Sequence, residues 1–143
     1  MADPPPHLVD TSAWIEGFRP GARGPWVEEL RRLVTDRQAG LHPIIRVELL
    51  SGAMSEAEYG RLAEVLDALP PVECAQEAWQ EAARLGFQLR RKGVSVPVTD
   101  LLIAATAVHH RCLLIHCDRH FVLVAKHSPL QERSLPTRTA PAR

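Results

Sequence analysis

The stretch VTDLLIAATAVHHRCLLIHCDRHFVLVAKH, residues 98–127, decides the fold. Thr99 and Asp100 stand at the head of an apolar run from Leu101 to Val108, and Thr99 to Arg111 reads as a helix. Thr99 is the better N-cap, which puts Asp100 at the first helical position, where the helix dipole favours an anion. Cys112 to His116 then reads as a short buried strand, Asp118 falls at its C-terminal end, and Arg119 to His127 reads as a second helix. Helix, strand and helix in succession point to a parallel sheet, because parallel neighbours need crossover connections.

Working outward, the rest of the chain has the same rhythm. His7 to Asp10 reads as another buried strand, followed by capping candidates Asp10, Thr11 and Ser12 and a helix from Ala13 to Phe18. A loop rich in Gly, Pro and Arg covers Gly17 to Gly24, and Trp26, Leu30, Leu33 and Val34 form a helical stripe. Gly40 and Pro43 frame a very short strand before a helix over Ile44 to Ala53. Tyr59, Leu62, Leu66 and Leu69 continue at helical spacing to Pro70-Pro71, with Trp26 and Tyr59 read as core. Val72 to Cys74 is a candidate strand, Ala78 to Leu89 a long amphipathic helix ending at Lys92-Gly93, and Leu130 to Leu135 a weak last strand. The expectation is an α/β, three-layer domain over residues 1–135, a short parallel sheet with helices on both faces, and a disordered tail over 136–143.

Composition narrows the function classes. The 143 residues carry zero net formal charge and are 45% hydrophobic, enough for one core and without a bulk basic field. The apolar run Leu101 to Val108 is far below the roughly 18 residues of a membrane span. Three prolines near the start replace the basic flank and apolar core of a signal peptide, and the odd count of 3 cysteines suits a reducing compartment. The expected location is therefore the cytoplasm, away from membranes. Every one of the 17 basic residues except Lys92 and Lys126 is arginine, the better fork for phosphate, although codon bias explains that excess equally well.

In open α/β sheets, ligands bind outside the C-terminal ends of the strands, so Asp10 and Asp118 are the first site candidates. Glu48 joins them because its helical neighbours Ile44, Ile45, Ser51 and Gly52 are apolar or small, while Arg46 marks the solvent side. An inward glutamate is expected to be paired, protonated or bound to a cation. Asp100 is both a first-turn acid and a candidate ligand. Taken singly, each acid reads as a cap or a salt-bridged residue. Gathered in one crevice, several carboxylates need a neutralising cation, and all-oxygen ligation selects Mg²⁺ or Mn²⁺. The nitrogen and sulfur groups of His109, His110, Cys112, His116, Cys117 and His120 match no standard zinc spacing.

LVDTSAWIE at 8–16, RVELLSGA at 46–53 and VPVTDLLIAATAVHHRCLLIHCDRHF at 96–121 occur in the order and spacing of a known family. The chain resembles the PIN-domain ribonucleases, specifically the VapC toxins of bacterial toxin–antitoxin pairs. The resemblance makes Asp10, Glu48, Asp100 and Asp118 the metal-binding and catalytic acids. It makes Thr11 and Ser12 polar support beside the first acid, and implies Mg²⁺ or Mn²⁺ as cofactor. The family often has Thr or Ser where His116 stands and an acid where His120 stands, so the loss of that charge is expected to weaken a second metal. It further implies an endoribonuclease in which a metal-activated water attacks RNA phosphodiesters, a homodimer, and inhibition by a VapB-type antitoxin that often inserts an arginine into the acidic pocket.

Candidate RNA contacts are Arg19, Arg23, Arg90, Arg91 and Lys92. Two rival readings remain. One is a catalytically silent PIN-like module that binds RNA or protein. The other is a receiver-type phosphoacceptor domain, which would want a lysine at the last strand that neither Lys92 nor Lys126 provides.

Overall fold

Pro4 to Pro6 hold the chain extended into strand β1 (His7–Val9), whose Leu8 and Val9 are fully buried. Strand β3 (Leu113–His116) lies beside it in parallel, with Leu8 opposite Leu114 and Val9 opposite Ile115. Strand β2 (Ala39–Gly40) flanks β1 and β4 (Glu132–Ser134) flanks β3, giving a four-stranded, all-parallel sheet ordered β2-β1-β3-β4. Successive residues of a strand face opposite ways, and Leu114 and Ile115 are both fully buried, so both faces are covered. Each such side chain contributes about 1.5–3 kcal/mol through burial. The expected α/β architecture is therefore present. The computed structural model describes residues 3–136; the expected tail lies, apart from Pro136, outside the described residues.

Among the described residues seven helices surround the sheet: α1 (Thr11–Phe18), α2 (Pro25–Thr35), α3 (Pro43–Ser51), α4 (Glu56–Asp67), α5 (Gln76–Arg91), α6 (Val98–His110) and α7 (Arg119–Ala125). Helix α6 is the central one, with Leu101 through Ala107 all buried, which is why its sequence is apolar all round rather than striped. Helix α5 presents Ala78, Ala82, Leu85 and Leu89 as its buried stripe and packs mainly on α6. A Cβ on Gly86 would stand 2.7 Å from a methyl of Leu101, so the glycine sets how closely the two helices meet. Gly93, at φ 78°, ends α5 in the left-handed conformation and turns the chain toward α6.

Several local expectations are corrected. Helix α1 begins at Thr11 because Asp10 itself is the N-cap. Pro97, not Thr99, caps α6, without a side-chain bond, so Asp100 is the third helical residue yet still in the first turn. Val72 to Cys74 forms no strand; Pro71 makes an isolated bridge to Leu41 and the prolines leave no ladder to extend. Tyr59 is 46% exposed rather than core, and Trp26 is only partly buried. A buried polar link ties α3 to α6: His42 caps α3 by accepting from the Ile44 N–H, and its Nε2 meets the Thr106 hydroxyl at 3.0 Å. Thr106 donates to the Leu102 carbonyl, so the ring nitrogen toward it is the donor. Burial pushes this imidazole down to about 4, keeping it neutral.

Candidate functional site

Parallel pairing of Val9 with Ile115 brings the C-terminal ends of β1 and β3 to one edge of the sheet, with Asp10 one residue beyond β1 and Asp118 two beyond β3. Asp10 is only 4% exposed. Its Oδ2 accepts from the Ser12 N–H at 3.1 Å and from the Ser12 hydroxyl at 2.5 Å. The same hydroxyl accepts from the Cys117 N–H at 2.9 Å, so Ser12 fastens the end of β1 to the turn after β3. Burial raises the Asp10 pKa above the usual carboxylate range, with the Ser12 and Thr11 bonds working against it and the Asp118 charge adding to it.

Asp118 caps α7 through the His120 N–H at 2.9 Å. Asp100 approaches from the first turn of α6, with its side chain 13% exposed. Between the two carboxylates sits His120, whose Nδ1 is 2.9 Å from Asp100 Oδ2 and 3.3 Å from Asp118 Oδ1. Burial foremost, then the charges of Asp118 and Asp10, push the Asp100 carboxyl up to about 6, while His120 pulls it down. One donor atom from each of Asp100, Asp118 and His120 lies within 4.8 Å of the others, the only such metal-capable group among the described residues. The zinc alternative finds no such geometry: Cys112 faces the Pro5 carbonyl, and His110 bonds the Glu73 carbonyl.

The remaining candidates separate. Glu48 is exposed rather than inward, and Arg46, expected on the solvent side, is the less exposed of the two and pairs with Asp67 at 2.6 Å. The reason is that α4 covers the Arg46 side of α3, which three- and four-residue spacing alone does not reveal. Glu48 accepts from the Thr11 hydroxyl at 2.9 Å, one residue along the chain from Asp10. His116 is fully buried; its Nδ1 accepts from the Asp118 N–H at 3.1 Å, so its Nε2–H donates to Glu132 Oε1 at 2.8 Å. It supports the turn that carries Asp118 rather than offering a hydroxyl-like contact. Glu132 and the bridging reach of Ser12 are not visible in the linear sequence, since parallel register alone brings Glu132 beside β3.

Of the basic candidates, Arg19 pairs with Glu16 at 2.6 Å, and Arg23 lines a groove of about 290 Å³ with Trp26, Glu29 and Arg133. Arg90 and Arg91 end α5, Arg91 over the Phe87 ring, and Lys92 caps that helix. None makes an ion pair with the four acids among the described residues. Also among these residues, no helix is long and apolar enough to cross a membrane.

Comparison with known proteins matches the PIN domain family over residues 7–127. Ribonuclease VapC11 of Mycobacterium tuberculosis is 34% identical over 131 residues, which span 89% of this chain and 97% of the relative. Ribonuclease VapC18 of the same organism is 32% identical, over 82% of this chain and 85% of the relative. In fold, the chain is similar to a protein in the crystal structure of VapBC2 from Rickettsia felis bound to a DNA fragment from their promoter. The TM-score is 0.75 at 16% identity, over 91% of this chain and 98% of that one. The match over residues 7–127 replaces the receiver-type alternative.

Proposed function

Because the chain belongs to the PIN-domain family and, within it, to the VapC ribonucleases of toxin–antitoxin pairs, we propose that it is a divalent-metal-dependent endoribonuclease toxin. The observation that carries this reading is the convergence of Asp100 and Asp118 with Asp10 beside them, at the strand ends where such sheets bind ligands. The residues fit a hard divalent cation. Burial foremost, with the facing carboxylates adding to it, drives the pKa values of Asp10 and Asp100 upward, and among the described residues the hydrogens offered to the notch between Asp100 and Asp118 come from His120.

Asp10, Asp100 and Asp118 would hold Mg²⁺ or Mn²⁺, with Glu48 closing the crevice from α3. When bound, such a cation supplies the charge that draws in a phosphodiester and acidifies the attacking water. Ser12 keeps Asp10 oriented and leaves Oδ1 available, Thr11 restrains Glu48, and His116 with Glu132 steadies the turn of Asp118. Water as nucleophile leaves 5′-phosphate and 3′-hydroxyl ends on RNA. Arg23 and the arginines ending α5 are the proposed backbone contacts, suited to single-stranded or looped RNA.

The partner is a VapB-type antitoxin and the toxin itself is a homodimer. Support for the first is a groove of about 330 Å³ lined by Ile15, Phe18, Leu49 and Leu62 and ending at Glu48. Ile15 and Phe18 are 48% and 42% exposed there, an apolar seat leading to an acidic centre that can pair with a guanidinium. The test is cleavage of defined RNAs with Mg²⁺ or Mn²⁺ by the wild type, Asp10→Asn and Asp100→Asn. Full activity without metal or in both variants, or accumulation of 2′,3′-cyclic phosphates, would refute the reading.

A further inference from the structure

His120 stands where the resemblance leads one to expect an acid, and its position is that of a ligand rather than of a surface side chain. Its Nδ1 approaches carboxylate oxygens of two different elements, 2.9 Å from Asp100 on α6 and 3.3 Å from Asp118 at the end of β3. Neighbouring donors around a six-coordinate ion with bonds of about 2.1 Å lie about 3.0 Å apart, so this spacing is that of adjacent ligands in one shell. The backbone fixes it: the His120 N–H is tied to Asp118 Oδ1 at 2.9 Å, and Phe121, the next residue, is fully buried. Nε2 has no hydrogen-bond partner among the described residues, so the ring can give up the Nδ1 proton and carry one on Nε2 instead.

We propose that His120 is a direct nitrogen ligand in the cation site and makes the site prefer a divalent transition-metal ion over Mg²⁺. The inference rests on the metal-dependent reading above. Two chemical effects act together. Replacing a carboxylate by neutral imidazole removes one negative charge, which weakens attraction for Mg²⁺. The ring nitrogen is also a ligand that Mg²⁺ takes poorly and transition metals take well. The remaining carboxylates keep the site hospitable to Mn²⁺, which accepts oxygen and nitrogen together.

The experiment adds Mn²⁺ alone, and Mg²⁺ alone, to the metal-free protein at pH 8. It measures binding by calorimetry and records the electron spin-echo modulation of the bound Mn²⁺. The wild type is expected to show nitrogen modulation and tighter Mn²⁺ than Mg²⁺ binding. His120→Asp, which restores an oxygen donor, is expected to lose the modulation and shrink the Mn²⁺ preference roughly tenfold. His120→Gln, neutral and similar in reach, is expected to lose the modulation as well; melting curves confirm that both variants fold. Mn²⁺ that binds the wild type, is lost in Asp100→Asn, and shows no nitrogen modulation overturns this inference alone. Modulation that persists in His120→Asp overturns it too, because another nitrogen would be the ligand. Absence of any Mn²⁺ or Mg²⁺ binding to the wild type overturns both it and the metal-dependent reading.

Discussion

Asp100 and Glu48 are held in different ways: one corner is built and the other is only fastened. Asp100 rides on a helix whose next seven residues are buried, lies 13% exposed, and meets both His120 and the field of two other acids. Glu48 rides on the exposed side of α3 and is held by one hydroxyl bond from Thr11. Burial foremost pushes Asp100 up to about 6, the signature of a charge placed where the fold would rather not have it. A fixed corner suits permanent ion ligation, and a loosely held one suits closing around whatever enters.

The largest expected effect is on cleavage. Asp100→Asn or Asp10→Asn is expected to cut the rate by about 100-fold or more, read on a defined RNA, because each removes charge from the built corner. Comparable activity in either variant would break the contrast. Stability comes next, and its sign is opposite. A carboxyl whose folded pKa is raised contributes stability that is complete below its unfolded value and is lost as pH rises through about 6. The metal-free wild type should therefore lose stability between about pH 4 and 7. Asp100→Asn should flatten that loss and be more stable by about 1–2 kcal/mol at pH 8, as measured by urea denaturation. Equal slopes for the two proteins would show that Asp100 is not strained.

Glu48→Gln is expected to cost about tenfold in cleavage rate, read on the same RNA. A loss as large as that of Asp100→Asn would place Glu48 in the built corner. The smallest effect is expected for Thr11→Val, which removes the bond to Glu48 and should cost no more than about 1 kcal/mol in activation free energy, about fivefold in rate.

How much of this was legible without coordinates depends on what each residue's position encodes. The strands ending at Asp10 and Asp118 were readable because buried β-runs and the helices after them are local patterns. Asp100 was readable as a first-turn acid, although the cap fell two residues earlier than Thr99, at a proline that fixes the entry angle without a side-chain bond. Glu48 was found for a reason the fold does not share. Its apolar neighbours pointed inward, yet α4 lies on the Arg46 side and leaves Glu48 at the rim. His116 and His120 were visible as zinc-type donors without a standard spacing and as departures from a family pattern. Their partners, Glu132 on an edge strand and the two acids, come together through parallel register and helix packing, which adjacency in sequence does not report.

The Ser12 hydroxyl bridging Asp10 to the Cys117 N–H spans 105 residues of chain. Its consequence concerns synthesis rather than the finished molecule. Asp10 is synthesised first of the four acids, but the strand that completes its environment, and Asp118 with it, comes last. A growing chain that has not yet reached Asp118 holds no complete acid set, and Asp10 waits without its Ser12-bridged neighbour until that turn is made.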